Sequence, residues 1–234
     1  TPGATIVHTT DGTPPSLTNG TATPGTASVF IDATTTLRAA AFKDGLTPTN
    51  IDTQTYLFPA DIVTQPQMDA DVVNSPAYTG EIAAALQSVR TLSIVTDPDH
   101  LFSNATGILA NTGGRGLAWE RPVSIEFLDP ENPAASYQTN AGLRMHGNGS
   151  RSSPKNSLRL LFRADYGLKK LDYPLFGEDW VARKFNTVVL RAQNANSWTS
   201  PRAEDRTATT FLQDSFAKDT QGAMDQPTAG STFV

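Results

Sequence analysis

The sequence predicts an α+β protein that is mostly β, with a small β-sandwich followed by a larger β-rich domain. Three observations carry this expectation. Short apolar segments with period-two alternation recur from Ala4 to Arg191, bounded by Gly, Pro, Asp and Asn turn signals. Hydrophobic residues make up 38% and charged residues 18%, and Thr, Ser, Ala, Gly and Pro fill the difference. That balance suits loop-rich β architecture of an extracellular kind rather than disorder, because apolar periodic segments persist throughout. Helical spacing shows in Ala77–Val89 and again from Ser200-Pro201.

At 234 residues the chain can bury a sizeable core and hold one large or two small domains. A net charge of −5 excludes a general nucleic-acid surface, so any anion site must be local. The absence of cysteine removes disulfides, thiol catalysis and Cys-based zinc sites together. No apolar run approaches the ~20 residues a membrane span needs, and no signal peptide opens the chain at Thr1. The abrupt beginning in TPGATIV and end in GSTFV are expected of an internal piece of a longer protein. The expected division is a β-sandwich over 1–60, a linker and short helix over 61–90, and a second domain over 91–234.

In the first segment, Ala4–Thr9, Ser28–Ile31, Thr36–Phe42 and Thr53–Phe58 read as strands. Leu37, Ala39 and Ala41 share one face of the third, opposite Arg38, Ala40 and Phe42. Asp11-Gly12 and Asp44-Gly45 are tight-turn signals, and their aspartates fit turn chemistry better than calcium ligation. The run IVHTTDGTPP, then TTTLRAAAFKDGLTPTN and TQTYLF, resembles the chitobiase C-terminal or fibronectin-III-associated repeat over roughly Thr1–Phe58. The resemblance implies a partial immunoglobulin/fibronectin-like sandwich lacking its opening strands.

Pro59–Asn74 is acidic, carries two prolines and has no sustained period, which predicts a linker. Ser75-Pro76 then reads as a helix start, with Ile82, Ala85, Leu86 and Val89 on one face. Thr91–Thr96 is a strand that runs into Asp97-Pro98-Asp99-His100, a loop-to-helix cap rather than a metal site. Trp119–Leu128 is a strand with Val123, Ile125 and Phe127 inward, and Asn186–Arg191 is another. Leu171–Phe176 is an apolar loop expected to dock on the sheet. The helix from Ser200-Pro201 would bury Ala208, Phe211, Leu212 and Phe216 and end near Gly222, and Thr232–Val234 would begin a strand. Trp119 and Trp198 read as core or rim aromatics.

Gly142–Arg163, GLRMHGNGSRSSPKNSLRLLFR, is the chemically distinctive stretch. An alternating strand opens into a Gly-, Asn- and Ser-rich loop and returns as a second alternating strand. Arg144, His146, Arg151 and Lys155 surround flexible, N–H-rich backbone, which is what an oxyanion wants. The competing reading is a solvated hairpin whose basic residues pair with Glu120, Glu126 or Asp165.

WERPVSIEF, AGLRMHGNGSRSSPKNSLRLLFRADYG, KLDYPLFG and VVLRAQNANSW, in this order, resemble the CotH kinase family, named for a spore-coat protein, over about Thr91–Val234. The resemblance implies the β-rich N-terminal part of an atypical kinase-like domain, with ATP and a divalent metal, Mg or Mn, in the intact domain. Carried over, Arg144, Ser150, Arg151 and Lys155 match the motif. Lys155 would contact nucleotide phosphate, Arg144 or Arg151 would grip it, and the Gly147 and Gly149 backbone would donate N–H groups. Asn156 stands where the family usually has a second basic residue, and the family's metal-binding aspartates are expected downstream of Phe233. This chain is therefore expected to carry no catalytic or metal residue, and to be inactive without the rest of its protein. The implied setting is a secreted or cell-surface bacterial protein, with a protein substrate or surface assembly as partner. The alternative is a structural, adhesive or carbohydrate-binding extracellular module without catalysis.

Overall fold

The computed structural model describes residues 1–193, Ser197, Ser200, Arg202, Glu204 and 208–234. They form an α+β protein dominated by antiparallel sheets. Its contacts fall into two compact units: Thr1–Pro98 with Ser124–Gln138 and Val234, and Asp99–Val123 with Thr139–Phe233.

The first unit holds a four-stranded antiparallel sheet ordered β2-β1-β3-β4, from β1 (Thr5–Thr9), β2 (Thr21–Pro24), β3 (Thr35–Phe42) and β4 (Asp52–Tyr56). Val7 sits opposite both Ala22 and Ala40, and Val7 and Ala40 are buried. On β3 the face that turns inward is the one carrying Arg38. Its guanidinium donates to the Gly12 carbonyl at 2.9 Å, between the buried Thr9 and Thr53 of the flanking strands. Burial lowers the pKa of Arg38 and the charge of Asp97 opposes that shift. Asp11 behaves as turn chemistry: its carboxylate accepts from the Thr13 hydroxyl and amide, which holds its pKa below the ordinary value.

The second strand is not Ser28–Ile31. Thr21–Pro24 takes that place, and Phe30 projects almost fully exposed. The reason is the tight Ser16–Asn19 turn, which returns the chain beside β1 at Gly20. Gly20 has φ +110°, and a Cβ there would stand 2.5 Å from the His8 carbonyl, so only glycine makes this approach.

The expected linker contains two short helices, α1 (Pro59–Thr64) and α2 (Ala70–Val73). Pro59 opens α1, and Asp61 reaches back to accept the Thr34 amide at 2.6 Å. Asp69 caps α2 through the Asp71 amide. Residues after Ser75 form turns only, because Gly80 at φ +81° interrupts them, and α3 is confined to Ile82–Gln87.

β5 (Thr91–Val95) pairs antiparallel with β6 (Arg121–Leu128), Ile94 opposite Ile125. Val123, Ile125 and Phe127 are buried as expected, but so are Ser124 and Glu126 on the other face. Glu126 accepts from the Thr55 hydroxyl, which also meets the Ser93 hydroxyl at 2.8 Å. Asp97 and Asp99 lead into the short helix α4 (Pro98–Phe102).

The second unit is built on β7 (Tyr137–Met145) and β8 (Leu158–Leu161), followed by the two-residue ribbon β9 (Leu171–Asp172) with β10 (Lys184–Phe185), and then β11 (Thr187–Leu190). β8 lies antiparallel between β7 and β11. Leu143 and Leu160 are opposite and buried, and Leu171 and Leu175 bury the apolar loop as expected. Helix α5 (Gln213–Ala223) begins later than predicted. Phe211 has φ +58°, and Leu212 and Phe216 are exposed rather than buried. The predicted start at Pro201 and Trp198 lie outside the described residues, and Thr232–Val234 forms no strand.

Candidate functional site

The predicted hairpin forms as expected and its loop is tightly organised. The His146 amide donates to the Ser157 carbonyl at 2.8 Å and closes the neck, and Gly149–Ser152 form a single 3-10 turn. Gly147 has φ +100°, and the Ser150 hydroxyl occupies the space its Cβ would need. Asn156 donates to the Arg151 carbonyl at 2.8 Å and the Ser153 carbonyl at 3.1 Å, and so fixes the loop's exit.

Arg151 is committed to the backbone. Its Nε donates to the Gly147 carbonyl at 2.7 Å, Nη2 to Met145 at 2.9 Å, and Nη1 to Gly114 at 2.7 Å and Thr112 at 3.2 Å. One guanidinium thereby ties the end of β7 to the Asn111–Gly116 loop. Arg115 of that loop donates to Asn148 Oδ1 at 2.9 Å.

Arg144 is also engaged, as the solvated-hairpin reading foresaw for Glu120. Its Nη2 lies 2.5 Å from Glu120 Oε2, and Arg163 Nε lies 3.4 Å from Oε1. The Glu120 side chain is 1% exposed, so this ion pair is shielded from water. Tyr166 donates its hydroxyl to Oε1 at 2.9 Å. Burial, then the hydrogen bond to Glu120, pushes the Tyr166 pKa up to about 12. The cluster fits because residue 142 is glycine: a Cβ there would stand 2.6 Å from Glu120 Oε1 and 2.7 Å from the Tyr166 ring.

His146, expected in the basic cluster, and Arg159, which was not among the expected site residues, complete the face. Arg144 and Arg159 are direct cross-strand partners, so both guanidinia rise from the same side of the sheet. Arg159 Nη2 sits 3.0 Å from His146 Nδ1, and its Nε is buried with no hydrogen-bond partner among the described residues. Burial, then the charges of Arg159, Arg151 and Arg191, lowers the His146 pKa. The alternation of Arg144 and His146 was the signal that could have found this face.

Of the six predicted residues, Gly147, Ser150 and Arg151 build the loop and Arg144 pairs with Glu120. Lys155 is exposed with no ion pair to a described residue, and nothing crowds Gly149. Among the described residues of the hairpin, Lys155 on the loop and Arg159 on β8 are the cations without a carboxylate or backbone-carbonyl partner. The described residues bring together no group of three His, Asp or Glu side chains able to hold a metal.

Residues 1–56, which contain β1–β4, match the family model described as Fn3 associated. No curated protein matches the chain, and no solved structure does. Among the described residues, no helix is long and apolar enough to cross a membrane.

Proposed function

We propose that the second unit is a phosphate-binding element of a CotH-type nucleotide-binding domain, carried in an extracellular bacterial protein behind an Fn3-associated module. The single observation that carries the reading is the concentration of guanidinium groups around His146 in a chain whose net charge is −5. Arg115, Arg151 and Arg159 have no ion pair with a carboxylate among the described residues, and Arg159, which is partly buried, keeps an Nε with no hydrogen-bond partner there, a position an anion would improve. The donor set suits phosphate oxygens: Lys155 as a mobile point charge, Arg159 as a fork, and open backbone at Gly149.

ATP bound here would bring the transferable phosphoryl group. The chain's own residues would hold and orient its phosphates. The divalent metal that the resemblance implies finds no ligand set among the described residues and has no part in this proposal. The expected role of this chain is binding, not phosphoryl transfer, since transfer needs metal and acceptor-orienting carboxylates. Calorimetric titration with Mg·ATP tests it. Binding is expected, and Lys155→Ala weakens it about tenfold or more, the value of one charge-assisted hydrogen bond. No binding heat, or binding indifferent to Lys155, would overturn the reading.

A structural reading is favoured by the first unit. The match over residues 1–56 is to an Fn3-associated module of the kind typical of extracellular proteins, and this supports a cell-surface setting. In that reading the chain is a scaffold or adhesive building block. Retention on chitin or cell-wall glycan, with no Mg·ATP binding, distinguishes it from the nucleotide reading.

A further inference from the structure

Arg144 and Arg159 stand directly opposite on neighbouring strands, an arrangement that is unfavourable for like charges unless something negative intervenes. Glu120 serves Arg144 and Arg163. Arg191, beyond β11, is held by Asp214 of α5 at 2.8 Å. Arg151 is spent on carbonyls, and Arg115 on Asn148. Arg144 and Arg159 each have a buried Nε with no hydrogen-bond partner among the described residues, but Arg144 is neutralised by Glu120, whereas Arg159 has no carboxylate partner among them and its terminal nitrogen meets an imidazole.

A guanidinium only donates, so its contact at 3.0 Å requires His146 Nδ1 to be the acceptor and the ring to be neutral. Burial first, and then the positive charges of Arg159, Arg151 and Arg191, favour the neutral ring.

We propose that Arg159 and His146 form the floor of a dianion site, for a phosphoryl or sulfate group, whose occupation is coupled to the uptake of one proton by His146. The proposal rests on the phosphate-binding reading above and adds two residues and a proton to it. When the dianion arrives, it offsets the surrounding guanidinia. A solvent proton then binds Nδ1, which breaks the Arg159 Nη2–Nδ1 hydrogen bond. The freed guanidinium donates Nη2 and Nε to the oxyanion, and the imidazolium faces it as a second cation. One proton is gained at Nδ1, one hydrogen bond is exchanged for those to the oxyanion, and no other covalent bond changes.

The test is an NMR titration of the imidazole signals of the whole chain, with and without sulfate, which stays dianionic across the range. With three histidines present, the spectrum of His146→Gln assigns the signal. The expected result is a His146 midpoint raised by about one pH unit at saturating sulfate. Sulfate affinity then rises as pH falls, by up to about tenfold per unit for one linked proton. His146→Gln is expected to bind sulfate with that pH dependence abolished. Arg159→Gln is expected to lose binding about tenfold or more, with Arg159→Lys keeping the charge as a check should Arg159→Gln fail to fold.

An unmoved His146 midpoint, the same pH slope in His146→Gln, or no sulfate binding overturns the proposal. Mg·ATP binding that depends on Lys155 while His146 titrates unchanged overturns this inference and leaves the broader reading standing. Sulfate binding with proton uptake but no Mg·ATP binding does the reverse.

Discussion

Glu120 is the residue on which the most depends in the second unit. It is buried against Arg144, Arg163 and Tyr166, so removing it strands two cations and a hydroxyl together. Breaking a buried ion pair from one side costs about 3–5 kcal/mol, and urea denaturation of Glu120→Ala is expected to show a loss near that range. Gly142→Ala attacks the same cluster by volume. Its Cβ would stand 2.6 Å from a carboxylate oxygen, and the expected cost is about 1–3 kcal/mol. His146 predicts a pH dependence of stability. Its folded pKa lies below the ordinary 6.5, so the unfolded chain binds the proton first and stability falls as pH drops through about 6.5. The difference in unfolding free energy between wild type and His146→Gln, measured from pH 8 to pH 5, should show that loss in the wild type only. Arg144 and His146 were legible as a polar pair because alternation fixes faces, whereas placing Arg159 beside them needed the strand register. Their partners were not: Glu120 and Tyr166 meet Arg144 only through the fold, and no local spacing encodes that contact.

At the scale of elements, the sequence signalled strands best where one face is apolar. β1, β3, β5 and β6 follow this rule, and each lies close to its predicted range; β8 follows it as the returning strand of the hairpin. β2 has no such face. TATP is mostly exposed and held by backbone pairing at a sheet edge, while the β-branched run at Ser28–Ile31 imitates a strand and exposes Phe30. α5 misled for the opposite reason. Its apolar positions have helical spacing, yet Phe216 is exposed and the helix is fixed by Asp214, which pairs with Lys218 one turn on and with Arg191. The loop itself makes a sharper prediction. Arg151→Lys keeps the charge but loses the planar fork that holds four carbonyls. Hydrogen exchange should then accelerate in both Asn111–Gly116 and Gly147–Ser153, while β7 and β8 remain protected.

At the scale of the whole molecule, an acidic chain sets Arg144 and Arg159 side by side on one sheet face, with Arg151 and Arg191 close enough to act on His146, and this governs how it would meet anions. A local positive field in a negative molecule is screened over about 10 Å at 0.1 M salt. Binding of Mg·ATP, if carried by Lys155 and Arg159, should therefore weaken steadily as sodium chloride is raised, and a salt-independent affinity would point away from this face. Composition and alternation were enough to read a β-rich α+β protein. They did not reveal that Ser124–Gln138 packs with the first unit while Asp99–Val123 packs with the second, because one strand with two buried faces gives no hint of which neighbours cover them.

The carbonyl grip on Arg151 has a last consequence, for proteolysis. Trypsin must draw a cleavable basic residue into an extended conformation in its own cleft. Arg151 cannot be drawn out without releasing four hydrogen bonds, whereas Lys155, four residues on, is exposed. Brief digestion should nick the bond after Lys155 well before the bond after Arg151, and a ligand seated on Lys155 should slow that first cut.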